Sequence, residues 1–436
     1  MSSKQWCAGV VLALVGATSA DATSYLVLGR TGSNAQTLQK QIEAVPGGTL
    51  QRALPGLLTF AVQSDDAAYP ARLRALPGVQ YVAPDRSFTL GEPRQVPLAG
   101  DAAEAAAQMQ RALAGGAPRA LSGAVDQGLL AGNALYQMQW AVQDVQAPGA
   151  WNRGYSGAGV RVAILDSGID CGNAWLAPNI DFAAAAAASL VPGEGVCVQP
   201  GFYFNHGTHV AGIVAALPSS FGSVGIAPGA TLIPVKVLSE YTGSGAFSWV
   251  LGGVVYAADE GADVINMSLG AYPMSTSDPN TQAYLLAFGR AADYARARGA
   301  AVIVAAGNDA AQLGAGGDVG VPANAPGMIT VSASGPAGWA TGNPAYTWLD
   351  YLADYTDYGP PIANAGPGGT FWYAYVNPSQ ACSIAGITRS CYVFDSCLYH
   401  QLPRPQPVGA PPRQNHDLSR PRSLFVNKAD KHGLIW

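Results

Sequence analysis

The chain has 436 residues, 49% of them hydrophobic and only 12% charged, with a net charge of -5. That length suits two or three domains, and the apolar share can fill a large core beneath a surface of small and uncharged polar residues. Such a composition argues against a disordered chain, and an acidic balance without a basic run gives no support to nucleic-acid binding.

Residues 1–22 carry Lys4, an apolar stretch from Ala8 to Ala17, and the small-residue end Ser19-Ala20-Asp21-Ala22. The apolar stretch is about half of the roughly 20 residues that cross a bilayer, so the segment reads as a cleaved signal peptide, not as a membrane anchor. A secreted protein is expected, extracellular or periplasmic and without a membrane partner. Cys7 would leave with the signal, and Cys171, Cys197, Cys382, Cys391 and Cys397 would remain. In an oxidising compartment the expected disulfides are Cys171–Cys197 and Cys382–Cys391, each closing a short loop, with Cys397 left over. The spacings do not match zinc ligands.

Residues 23–90 read as a compact α+β unit. The run Tyr25-Leu26-Val27-Leu28 and the segments Leu57–Val62 and Val79–Ala83 are strand-like, and a polar helix is expected over Asn34–Val45. Residues 91–135, rich in Ala, Gly and Gln, read as a linker with one helix near Ala102–Leu113. A second domain starts near Tyr136. There, buried strands are expected at Val160–Leu165, Thr231–Leu238, Ala262–Ile265 and Ala301–Ala306, and helices at Phe247–Asp259 and Gln282–Arg298. Strands alternating with helices make a parallel α/β sheet. Ligands of such sheets bind beyond the carboxyl ends of the strands, which singles out Asp166, Asn266 and Asn308.

Asp166 stands in Ile164-Leu165-Asp166-Ser167-Gly168-Ile169-Asp170, where a half-buried carboxylate can hold an imidazole. A lone strand-end aspartate is ordinarily a turn or cap residue. The segment Asn205-His206-Gly207-Thr208-His209-Val210-Ala211-Gly212 supplies an imidazole, and its glycines permit close approach to the sheet. His206 and His209 also have the spacing of a metal pair, but no acidic or cysteine third ligand lies near them in sequence. Asn308 ends Val302-Ile303-Val304-Ala305-Ala306-Gly307-Asn308, and its amide is either a turn former or a donor to a developing oxyanion.

Taken together, Asp-Ser-Gly, His-Gly-Thr-His-Val-Ala-Gly and Ala-Ala-Gly-Asn, in that order, closely resemble the subtilases, the subtilisin-like serine endopeptidases. The resemblance also covers Gly225-Ile226-Ala227-Pro228, Ile265-Asn266-Met267-Ser268-Leu269-Gly270, Val321-Pro322-Ala323 and Ala365-Gly366-Pro367-Gly368-Gly369. It implies a subtilisin-like three-layer α/β domain with a parallel sheet, over residues 136–395. The α+β unit before it would be the inhibitory propeptide of a zymogen. By the same resemblance Asp166 would orient the imidazolium, His206 would be general base and then acid, and Asn308 would supply the oxyanion donor. Ser268, Leu269 and Gly270 would pair with an extended polypeptide substrate and line its first specificity pocket, with Ala305–Gly307 as the other wall. No organic cofactor is required; structural calcium is a family habit, but no contiguous oxygen-ligand loop places it here.

The nucleophile departs from the pattern. The family places its serine in a Gly-Thr-Ser-Met-Ala-x-Pro-like segment opening a long apolar helix, and Gly-Thr-Ser occurs nowhere in the 436 residues. Ser379, Ser383, Ser390, Ser396, Ser419 and Ser423 lack that context. Residues 396–436 hold three of the five histidines and six prolines but only two of the 53 glycines, an abrupt change of composition. Two readings stand: a reading frame lost near codon 396, or a carboxy-terminal extension. The function expected is a secreted serine endopeptidase whose serine segment is absent, or else a catalytically dead peptide-binding or inhibitory protein. A third possibility, a metal-dependent hydrolase, would rest on His206 and His209.

Overall fold

The computed structural model describes residues 22–90, 120–198, 206–337, 348–367 and 382–389, with one- or two-residue breaks inside the last four segments. The expected signal peptide, the helix near Ala102–Leu113, the Cys382–Cys391 pairing, Cys397 and the atypical tail lie outside the described residues.

The first unit is an antiparallel sheet of β1 (Thr23–Gly29), β2 (Thr49–Leu54), β3 (Thr59–Ser64) and β4 (Val79–Pro84), in the order β2-β3-β1-β4, with helices α1 (Ala35–Glu43) and α2 (Tyr69–Arg74). Asn34 caps α1 by accepting the Thr37 N–H at 2.9 Å. Leu38 and Ile42 of α1 and Tyr69 and Leu73 of α2 pack on Val27, Phe60 and Val62. Leu26 and Leu28 point the other way, into the core shared with the second unit. Successive strand residues alternate faces, so a strand covered on both sides reads as the unbroken apolar run at 25–28. Strand β2 and the six-residue α2 are not foreseen in the sequence, because each is short and half polar.

A short strand β5 (Ser87–Thr89) leaves this unit, and the short helices α3 (Gln127–Ala131), α4 (Trp140–Asp144), α5 (Ala147–Trp151) and α6 (Phe182–Ala185) belong to the second unit. Helix α3 falls where only linker is expected; Asp126 caps it through the Gly128 and Leu129 N–H groups. The main elements of the second unit are β6 (Arg161–Asp166), α7 (His206–Ala215), β7 (Thr231–Lys236), β8 (Ser244–Ala246), α8 (Phe247–Asp259), β9 (Val264–Met267), β10 (Ala271–Ser275), α9 (Pro279–Ala297), β11 (Ala301–Ala305), β12 (Asp318–Val321), β13 (Ile329–Ala337), β14 (Trp348–Leu352) and β15 (Asn364–Pro367). Six strands run parallel in the order β7-β6-β9-β11-β13-β15, and β14 pairs antiparallel with β13.

Alternation along β6 builds the three layers. Val162 and Ile164 face α7, packing with Val210, Ala211 and Val214, whereas Ala163 and Leu165 face the opposite layer of α8 and α9. Helix α9 starts three residues before the expected Gln282, because Asp278 caps it at the Asn280 N–H and Pro279 fits its first turn. Strand β9 starts two residues later than expected, since Ala262 is spent on the turn that returns its N–H to Ala257 O.

The first unit rests on α8 and α9. β5 pairs antiparallel with β8, Tyr284 Oη donates to Pro84 O at 2.8 Å, and Arg290 donates to Gly29 O at 2.9 Å and Leu57 O at 3.2 Å. Helix α8 has no capping side chain of its own at Ala246. Asp85 of the first unit performs that task, accepting from Ser248 N at 3.0 Å and Ser248 Oγ at 2.5 Å. Phe247 sits at the junction, with ring centroids 5.8 Å from Phe88, 4.9 Å from Tyr284 and 5.2 Å from Phe288. Phe247→Ala is therefore expected to cost about 3–5 kcal/mol in urea denaturation and to loosen the first unit from the second, read as faster proteolysis within residues 23–90. Unchanged stability and proteolysis would show that this junction is not cohesive.

Candidate active site

The parallel register fixes which side chains meet at the carboxyl edge. Ile164 of β6 and Ile303 of β11 both pair with Asn266 of β9. Counting two residues on from each brings Asp166, Ser268 and Ala305 to one level on three adjacent strands, so the segments singled out in the sequence share one edge.

Asp166 is fully buried and His206 is only 5% exposed. His206 Nδ1 lies 2.8 Å from Asp166 Oδ1 and 2.7 Å from Oδ2. Oδ1 also accepts the Ser167 N–H at 2.7 Å, so the carboxylate is held from its own backbone before it meets the ring. His206 opens α7, and Gly207 brings that helix onto the strand tip, beside a tight turn at Gly168. A Cβ on Gly207 would fall 2.1 Å from Gly168 O, and one on Gly168, at φ +93, would fall 2.2 Å from Val196 O. A side chain at Gly207 would push α7 and its imidazole off the strand tip, and one at Gly168 would drive away the backbone at Val196. Gly207 N also donates to Ser167 Oγ at 3.1 Å, tying the second link of the junction.

Asn308 is exposed on the loop after β11. Asp357 shapes this loop from both sides: its N–H donates to Gly307 O at 3.0 Å, and its Oδ1 accepts from Asp309 N and Ala311 N, both at 2.9 Å. Oδ2 of this fully buried side chain has no hydrogen-bond partner. Burial pushes the Asp357 carboxyl up to about 6, against the two N–H bonds that pull it down. Asn266, singled out as a strand-end residue, is instead buried inside β9 and donates to Ser268 Oγ at 3.0 Å. Ser268 and Gly270 remain partly open beside it, and Leu269 is buried.

Behind Asp166, its β7 neighbour Lys236 is fully buried, with Nζ 2.8 Å from Glu240 Oε2 and 3.1 Å from Glu194 Oε2. Glu194 Oε2 also accepts the Glu240 N–H at 2.9 Å, joining the 194 loop to the segment that leads into β8. A Cys171–Cys197 disulfide, with Cα atoms 5.4 Å apart, closes the same loop against the segment after Asp166. Asp357 and the Lys236 cluster escape sequence reading because their partners lie far away in the chain and no local motif marks them. Among the described residues no group of three or more His, Cys, Asp or Glu could hold a metal ion, so His206 and His209 find no third ligand there.

The Subtilase family (Peptidase S8) matches residues 157–389, more than half of the chain. The chain belongs to the subtilase family. It is 44% identical over 138 residues to Subtilisin E of Bacillus subtilis (strain 168), covering 32% of this chain and 34% of that protein. It is 42% identical over 164 residues to Subtilisin Savinase of Lederbergia lenta, covering 38% of this chain and 53% of that protein. The matched region thus spans about a third to a half of these relatives' length. In fold, this subtilase resembles the epidermin leader peptide processing serine protease of Staphylococcus aureus, with a TM-score of 0.58, 18% identity, and coverage of 87% of this chain and 86% of that one. No helix among the described residues is long and apolar enough to cross a membrane.

Burial of the Asp357 carboxyl is expected to make stability depend on pH. A folded value of about 6 lies above the ordinary carboxylate value of 3.8, so the folded protein retains a proton that the unfolded chain has released between those pH values. Stability should therefore fall as pH rises through that window and stay lowered above it. Asp357→Asn keeps an oxygen for both N–H donors and removes the buried charge. It is expected to raise Tm at pH 7.5 and to flatten the dependence between pH 4 and 6; an unchanged profile would place the charge elsewhere.

Proposed function

We propose that this subtilase is a secreted serine endopeptidase precursor whose nucleophile segment is absent from the present sequence. The observation that carries the reading is the buried Asp166–His206 pair, with Nδ1 2.7 Å from Oδ2, on the strand beside Ser268-Leu269-Gly270. An imidazole that bonds a carboxylate through Nδ1 is fixed in tautomer and orientation, leaving Nε2 as the nitrogen for general base and then acid chemistry. Asp166 would stabilise the imidazolium, and the Asn308 amide would donate to the oxyanion of an acyl-transfer intermediate, a contact worth about 3–4 kcal/mol in subtilisin itself. The extended substrate would run along 268–270, with 305–307 across from it. Polypeptides are the substrate class.

The first unit serves in this reading as the propeptide. What supports it is the docking of β5 on β8 and the Asp85 cap on α8, contacts that a cleaved segment can make and later release. Burial raises the Asp85 carboxyl, with the Ser248 hydrogen bonds opposing. No organic cofactor is assigned, and calcium is not placed.

A second reading is favoured by one observation, the lack of any Gly-Thr-Ser in the sequence. The same cleft would then bind peptides without cutting them. A fluorophosphonate probe tests the absence of a nucleophile on which both readings rest. The present chain is expected to remain unlabelled and to release no mature amino terminus near residue 136 during purification. Labelling of a serine between residues 379 and 423, abolished by His206→Ala, would identify a nucleophile in this very chain and overturn the proposed absence.

A further inference from the structure

The two stretches read as walls of the first specificity pocket, Ser268–Gly270 and Ala305–Gly307, do not face an open space. One aromatic ring lies between them. Tyr272 follows the first wall at the start of β10, and its hydroxyl donates to Ala305 O of the second wall at 2.5 Å, with Leu269 O 3.3 Å away. Three glycines enclose it. A Cβ on Gly270 would come within 2.4 Å of Tyr272 Oη, one on Gly307 within 2.9 Å of the ring, and one on Gly320 within 2.2 Å of Cε1. The ring thus occupies a slot of bare backbone whose sides come from the segments after β9 and β11 and from β12.

Local structure explains why the side chain is aimed there. β10 pairs with β12 at Ala271↔Val321 and Met274↔Val319, and the register shifts between these two points. Such an irregularity re-aims the residues inside it, and Tyr272 is one of them. The hydroxyl end is inward, where burial raises its pKa far above the ordinary tyrosine value, so it stays a neutral donor to the wall carbonyl.

We infer that Tyr272 is the specificity-determining residue of this cleft, filling the first pocket so that it accepts only small side chains: glycine, alanine or serine. The inference rests on the proposed function, in which 268–270 and 305–307 flank the substrate. A phenylalanine or leucine could enter only by expelling the ring, breaking its bond to Ala305 O and exposing the apolar slot. An arginine would meet the same obstruction, although the Asp357 Oδ2 lies 2.2 Å from where a Cβ on Gly307 would stand and would attract it.

The test is isothermal titration of the full chain with three acetylated tetrapeptides, Ala-Ala-Ala-Xaa, ending in alanine, phenylalanine or arginine. The alanine peptide is expected to bind at least about 10-fold tighter than either other, and Tyr272→Ala to reverse the order toward phenylalanine. The wild-type order decides by itself if that variant does not fold, and Tyr272→Leu gives a gentler second variant. Equal binding of alanine and phenylalanine peptides, or preference for arginine, overturns the inference while leaving the cleft a peptide site. Binding of no peptide by any of the proteins, before or after proteolytic release of residues 23–90, overturns the cleft reading, and the inference with it.

Discussion

The proposed function of this chain depends on placing an imidazole against a carboxylate that has left water. Asp166 is fully buried, and an unpaired buried carboxylate is costly, so the site forms only if its partners arrive with it. The Ser167 N–H and the His206 ring supply them. Their arrival requires α7 to touch the tip of β6, and that contact is possible only because position 207 carries no side chain. Gly207 thereby links the backbone geometry to the proposed chemistry.

The sheet supplies the rest by register alone. Because β6, β9 and β11 are adjacent and parallel, three segments spread over more than a hundred residues finish level with one another. The surrounding loops are then fastened individually: Asp357 grips the backbone on both sides of Asn308, and Lys236 joins the 194 loop to the approach to β8. Both devices use buried charge. The Lys236 cluster is a buried ion pair, which adds little net stability but holds a defined arrangement, whereas Asp357 holds its loop through two backbone N–H groups.

Where periodicity or motif is strong, the amino-acid sequence makes much of this legible. Helix α8 is found at Phe247–Asp259 as expected, and the strands ending at Asp166 and before Asn308 lie within a residue of their expected bounds. Asp166, His206, Ser268 and Gly307 stand in local motifs whose glycines carry a steric reason. The hidden residues share a different character. Tyr272, Asp357 and Asp85 act on backbone atoms or helix ends contributed by remote segments, and nothing near them in sequence announces those partners. Asn266 misleads in the opposite sense: a polar residue at a strand end looks available, but it is spent inside the strand on Ser268. The strands β10 and β12 escape notice because they form a small side ladder, outside the main sheet and its alternating pattern.

The central claim is that this scaffold is built to carry a serine that the present reading frame does not encode. The most direct test is the nucleotide sequence of the encoding gene from about codon 380 onward, translated in all three frames. An alternative frame with Gly-Thr-Ser followed by an apolar helix is the predicted result, making the chain a frameshifted form of an ordinary subtilase peptidase. If no frame contains that segment, the endopeptidase account is contradicted, and the cleft belongs to a protein that binds peptides without cutting them.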